Sequence, residues 1–314
     1  MIRLQKKIIG WSVTQAIVSR SKKIILPGFK GVPLYDVAVF FLAEVKKEGL
    51  NERAAAIAYN FIMAIPPTCL FLFTLVPSLP FVPTKTIQNQ LHTLIHDIIP
   101  AKTHNENVIN FVDSFFGDAK VGLLSFGFLL LVFFASNGMM GLMRSFNKIS
   151  IGYSKRTGLQ SRWMAIRLTF LIMGLLLGCL ALLIMQGNVM TWLGIKNRFL
   201  VVFVSTFRWI FMFALIFFTF AFVYKYAPAL KKRWNLVSPG SILGAILSVL
   251  ATIGFSIFVN NFTRYNALYG SIGTVIVLMI LIYINALVLL IGYELNASIH
   301  ALKAMADERV SGDS

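Results

Sequence analysis

The stretch Val275-Ile276-Val277-Leu278-Met279-Ile280-Leu281-Ile282-Tyr283-Ile284-Asn285-Ala286-Leu287-Val288-Leu289-Leu290-Ile291 decides the fold class, because it carries no charge and only one carboxamide. Extended to 271–293, it reaches the ~20 residues a helix needs to cross a bilayer. Five more runs of this kind precede it, at 54–79, 121–143, 164–186, 199–224 and 239–260, and across all six the only charged residues are Arg167 and Arg208. The whole chain of 314 residues is 57% hydrophobic and 13% charged, with a mean hydropathy of +0.77. A soluble domain is about 25% charged, so a soluble enzyme is ruled out. In lipid the backbone must bond to itself, and these runs predict an all-α polytopic membrane protein with six transmembrane helices.

The net charge of +17 would suggest nucleic acid in a soluble protein, but here the positions of the charges decide. Of the basic residues outside the spans, 21 fall in 1–53, 144–163, 225–238 and 294–314, against 6 in 80–120, 187–198 and 261–270. By the positive-inside rule the first set is cytoplasmic, with both termini. Anionic lipid then accounts for the charge as a partner, and nucleic acid is not needed. Cys69 and Cys179 both sit in apolar runs and build neither a disulfide framework nor a zinc site. The amino end is too short and polar in its apolar part for a cleaved secretory signal.

Within the cytoplasmic segment 1–53, residues 35–53 set Val37, Phe40, Phe41 and Val45 against Glu44, Lys46, Lys47, Glu48, Glu52 and Arg53 at helical spacing. Two readings fit: an amphipathic helix lying on the membrane interface, or a solvated helix packed on the cytoplasmic loops. On the other side, 80–120 begins at Pro77, Pro80 and Pro83, which stop the first helix, and holds His92 and His96 four apart, with Asp97 and His104. The glutamate of a zincin is missing, so the expectation is lid-helix surface, with no metal and no cofactor.

The spans carry their own polar marks. Pro66-Pro67, near Asn60, must bend or break the first helix, as in many transporters. Gly240, Gly244, Ser248, Thr252, Ser256 and Asn260 recur every four residues, a small-residue stripe for close helix packing; Gly174 and Gly178 make a second pair. Asn137 lies in the second span. In the sixth, Thr274, Asn285, Gly292 and Asn296 share one face, and Tyr283 and Glu294 the opposite one. Glu294 is expected to pair with Arg144 or Arg167, taken to lie at the same depth, because ionisable groups at the membrane usually meet one another. The same arginines are candidate contacts for an anionic headgroup.

The run Tyr265-Asn266-Ala267-Leu268-Tyr269-Gly270-Ser271-Ile272-Gly273, with the ending Gly292-Tyr293-Glu294-Leu295-Asn296-Ala297, resembles the signature of the YihY/BrkB family of bacterial inner-membrane proteins. Arg53-Ala54-Ala55-Ala56-Ile57-Ala58-Tyr59 before a proline-containing span, and Tyr224 with Pro228, add to the likeness. The resemblance implies six spans with both ends in the cytoplasm. Its members carry diverse labels: ribonuclease BN, virulence factors linked to serum resistance, and passage of lipid A precursors. The cytoplasmic segments hold one histidine, His300, and no cluster of acid and base groups for cleaving RNA. The expectation is therefore a non-enzyme that moves an anionic lipid or other amphiphile. A protein that organises envelope assembly without transport is the alternative, and a membrane hydrolase the third.

Overall fold

The computed structural model describes residues 18–47, 49–75, 121–147, 156–184, 198–230, 233–261 and 271–312, with the isolated residues 89, 92, 109, 110 and 113. Eight helices organise them: α1 Leu34–Lys47, α2 Leu50–Ile62, α3 Ile65–Leu75, α4 Val121–Asn147, α5 Gly158–Ile184, α6 Arg198–Tyr226, α7 Pro239–Asn261 and α8 Ser271–Gly312. The protein is an all-α polytopic membrane protein. Leu50–Phe71, Leu124–Phe146, Gly158–Gly178, Pro239–Val259 and Val275–Arg309 are each long and apolar enough to cross a bilayer, and Ile210–Tyr226 is a shorter apolar helix. Their outward faces carry Phe126, Leu129, Leu177, Phe211, Leu250, Ile253 and Leu278 in the open, a surface that suits hydrocarbon and not water.

The break in the first span follows from its prolines. Pro66 and Pro67 lack the N–H groups that would bond to the carbonyls of Ile62 and Met63. The helix therefore stops at Ile62, turns through Met63 and Ala64, and restarts with both prolines in the first turn of α3, where a missing N–H costs nothing. Thr68 fastens the restart, since its N–H and hydroxyl both donate to the Ala64 carbonyl, at 3.1 and 2.6 Å.

Three element boundaries differ from the sequence reading. The amphipathic helix expected over 35–53 ends at Lys47, and residues 50–53 open the next helix, because Gly49 takes a left-handed conformation at φ 37° that turns the chain. The third span's helix starts at Gly158, which makes Arg162 helical. The tail expected from 294 continues α8 as helix to Gly312: no proline or glycine interrupts 293–311, and Lys303 pairs with Asp307 one turn on at 2.7 Å.

Glycines set how closely the helices approach. On α4, Gly138 lies against the Phe61 ring and Gly141 against the Asn60 amide, where an added Cβ would come within 3.3 and 2.9 Å, so α2 packs flush on α4. The most extensive pair is α7 with α8. There a Cβ at Gly240 would fall on the Gly292 carbonyl oxygen, and one at Gly292 on the Tyr224 hydroxyl. Of the four-residue stripe on α7, Gly240, Gly244 and Ser248 meet neighbouring helices whereas Thr252 and Ser256 are exposed. A repeat of four drifts about 40° per step around a helix of 3.6 residues per turn, so one stripe cannot keep one partner.

Candidate functional site

The aromatic core sits at the end of the bundle where α2, α5 and α7 begin. Phe146 stacks on Tyr293 with ring centres 3.9 Å apart, and Tyr224 and Trp234 close around them. The Tyr293 hydroxyl donates to the Phe146 carbonyl and the Tyr224 hydroxyl to that of Leu289, each at 2.8 Å. Both phenols thereby tie neighbouring helices together through backbone that already belongs to a helix.

In this core Arg53 Nη1 donates to Glu294 Oε1 at 2.8 Å, with side-chain exposures of 8% and 1%. Arg53 Nη2 donates to the Ser145 carbonyl at 2.8 Å. One guanidinium thus joins α2, α4 and α8. The expected partners are corrected: Arg144 and Arg167 are both exposed, and neither meets Glu294. Arg144 neighbours Ser145, but one residue turns about 100° around a helix and faces it outward. Nor do the two arginines share a depth. Arg162 meets Asn137 and Phe170 meets Phe128, so Arg167 lies level with the middle of α4, roughly 18 Å along the axis from Arg144. The Arg167 guanidinium sits over the Trp163 ring at 5.1 Å.

The other polar span residues are bound into the frame. Asn296 accepts from the Gly240 N–H at 2.8 Å and donates to Ser238 Oγ at 2.9 Å. It thereby satisfies one of the N–H groups left open at the start of α7. Asn137 accepts from Arg162, whose guanidinium also lies over the Phe133 ring at 4.6 Å. Asn60 returns its amide to the Ala56 carbonyl at 2.7 Å. Asn285 donates to the Leu281 carbonyl at 3.0 Å and accepts from Ser248 Oγ at 2.7 Å. Arg156, which the sequence reading left in a loop, donates at 3.1 Å to each of the Ala227 and Pro228 carbonyls just past the end of α6, where a helix end favours a cation.

Above the aromatic core lies a cavity of about 550 Å³. Ile57 and Phe61 of α2, Ile172 of α5, Ile216 and Phe220 of α6, and Leu289 of α8 make its wall almost wholly of hydrocarbon. Its polar side chains are Thr219, Ser248 and Asn285, and Thr219 bonds to its own helix at Leu215, 2.9 Å away. Arg53 precedes Ile57 by one turn and Glu294 follows Leu289 by five residues. The ion pair therefore sits roughly 6 Å beyond the cavity, at about 1.5 Å per residue. The cavity can take an apolar guest of chain-like size, and the paired charges lie outside its lining.

On the remaining segment, His92 Nε2 pairs with Asp113 at 2.6 Å. His96, Asp97 and His104 lie outside the described residues, as do Tyr265, Asn266, Tyr269 and Gly270; Gly273 is buried in the first turn of α8. Among the described residues no three His, Cys, Asp or Glu side chains converge as metal ligands.

Two of the stretches that carry the family likeness, 53–59 and 292–297, meet at the Arg53–Glu294 pair. Compared with known protein families, residues 41–312 match the one described as virulence factor BrkB. The chain belongs to the BrkB family. Its relatives include the ribonuclease-like protein YfkH of Bacillus subtilis (strain 168), 29% identical over 82% of this chain and 93% of the relative. The UPF0761 membrane protein NTHI0384 of Haemophilus influenzae (strain 86-028NP) is 24% identical over 85% and 96%. A UPF0761 membrane protein of Aeromonas salmonicida (strain A449) is 24% identical over 87% and 92%. No solved structure matches. In this BrkB-family chain, Arg53 is the residue that sequence reasoning passed over for the ion pair. The available signal was its place one turn before Ile57, on the face that Ala54 and Ala58 also bury.

Proposed function

We propose that this BrkB-family protein carries or flips an anionic lipid or comparable amphiphile, holding its hydrocarbon part in the cavity between α2, α5, α6 and α8. The observation that carries the reading is the 550 Å³ apolar cavity walled by bundle helices. Such a site favours hydrocarbon, since burying apolar surface contributes about 25 cal/mol per Å², and few polar groups are needed to orient a guest. Asn285 spends one N–H on Leu281 and its oxygen on Ser248, so its second N–H can orient an ester or amide. The anionic part of the proposal rests on the exposed Arg144 and Arg167 and on the charge of +17.

The reading places the protein in the bacterial inner membrane with both termini cytoplasmic, which the 21 to 6 distribution of basic residues supports. It also takes the chain as a non-enzyme without nucleic acid, cofactor or metal. An apolar cavity beside an internally bonded ion pair is chemistry for holding a chain, whereas hydrolysis needs a positioned acid and base. The ribonuclease-like name belongs to the Bacillus relative.

The test is reconstitution into vesicles containing head-labelled phosphatidylglycerol, with an impermeant reductant added outside. Exposure of inner-leaflet label in the presence of the protein, lost when Ala286, which lines the cavity, is enlarged in Ala286→Phe, supports the proposal. No exposure above empty vesicles, with native thermal stability, overturns transport and leaves the organising role.

A further inference from the structure

Helix α1 has two apolar faces, and among the described residues one of them packs against the rest of the protein. Val37 is buried with Phe29, Val32 and Ile299, and Val45 packs on the main core. This is the face for which the sequence left membrane interface and protein packing both open, and it lies against α8. The opposite face carries Tyr35, Val39, Leu42 and Lys46 at helical spacing. Val39 is 50% and Leu42 55% exposed.

The segment before α1 extends this outer face. The Leu34 N–H donates to the Ile24 carbonyl at 2.9 Å, and Lys22 Nζ lies over the Tyr35 ring at 5.1 Å. Ile24, Ile25 and Leu26, exposed by 44, 56 and 39%, are thereby held at the amino-terminal end of α1, the end from which Tyr35, Val39 and Leu42 run. Lys22, Lys23 and Lys46, all exposed, rim the patch.

The position of this unit identifies the occupant. Gly28 abuts Pro239, where a Cβ would come within 2.9 Å, and Gly49 leads directly into Leu50. Pro239 and Leu50 are each the first residue of a candidate span. A helix of 14 residues, about 21 Å long, is thus tied at both ends to the level where spans begin. An apolar stripe rimmed by lysines at that level has the composition of an in-plane interfacial element.

We propose that the outer face of α1, with residues 22–26, inserts into the headgroup region of an anionic leaflet and holds α1 across the end of the bundle. The lysines meet lipid phosphates, and Ile24, Ile25, Leu26, Val39 and Leu42 enter the acyl boundary. This proposal stands apart from the cavity and from transport.

The experiment uses the full chain with Cys69 and Cys179 replaced by serine and a spin label on Leu42→Cys, with Asp36→Cys at the edge of the face as reference. The protein is reconstituted into phosphatidylcholine vesicles with and without phosphatidylglycerol. Collision with lipid-dissolved oxygen relative to an aqueous nickel chelate should be several-fold higher at 42 than at 36. Lys22→Gln with Lys23→Gln should lower the ratio in the anionic vesicles and leave it unchanged in neutral ones. Equal aqueous access at both positions overturns the proposal. So does shielding of position 42 from both reagents with spin–spin coupling between labels, which would make the face a contact between copies of the chain.

Discussion

Arg53 and Glu294, 241 positions apart in the chain, share a hydrogen bond of 2.8 Å in a site almost closed to water. The guanidinium stands at the start of one membrane helix and the carboxylate well along another. Two opposite charges taken out of water stabilise little on net, but each is costly without the other.

Removing one member is therefore the sharper perturbation. Glu294→Gln or Arg53→Gln should each lower unfolding stability in detergent by about 3–5 kcal/mol. Arg53→Met combined with Glu294→Leu should recover much of that loss. Arg144→Gln and Arg167→Gln, on exposed side chains, should shift the melting temperature little. A thermal double-mutant cycle reads the coupling, and additive losses would contradict it.

The approach of α7 to α8 predicts a second effect. Gly292→Ala drives a methyl group into the Tyr224 hydroxyl, and overpacking of this kind costs about 1–3 kcal/mol. Tyr224→Phe in the same chain removes one of the two obstructing oxygens, the Gly240 carbonyl at 2.7 Å remaining, and should return part of the stability, measured by thermal unfolding. Equal losses in the single and double variants would mean that the Tyr224 hydroxyl is not what limits the approach.

Asn296 serves the start of α7 from the neighbouring helix. Asn296→Ala leaves the Gly240 N–H without its acceptor, a loss of about 1–3 kcal/mol for a buried donor. Hydrogen exchange should rise locally over 238–242 while the middle of α7 stays protected. Unchanged exchange there would remove the capping role.

The spans were legible because hydropathy needs only one dimension of information, and Pro66-Pro67 marked the break because a missing N–H is a local fact. Arg53 escaped selection for a related reason. A window that opens at the first uncharged residue starts at Ala54 and leaves the arginine outside, although the helix has already begun and turned it inward. Arg144 looked equivalent in sequence, yet a 100° difference from Ser145 decides between solvent and core. Similarly, 35–45 revealed an apolar face but not its occupant: Val37 meets Ile299, which lies over 260 residues away and belongs to a helix that the sequence reading ended at the membrane. The cavity had no signature at all, since its wall residues are the same leucines, isoleucines and phenylalanines that fill the rest of the spans.

The most direct measurement is photo-crosslinking in vesicles with phosphatidylglycerol carrying a diazirine within its acyl chain, followed by mapping of the adducts by mass spectrometry. Adducts on Ile57, Phe61, Ile216 or Leu289, competed by unlabelled lipid and lost in Ala286→Phe, are the predicted result. Adducts confined to outward residues such as Leu250, Ile253 and Leu278 would contradict the cavity as a chain-binding site.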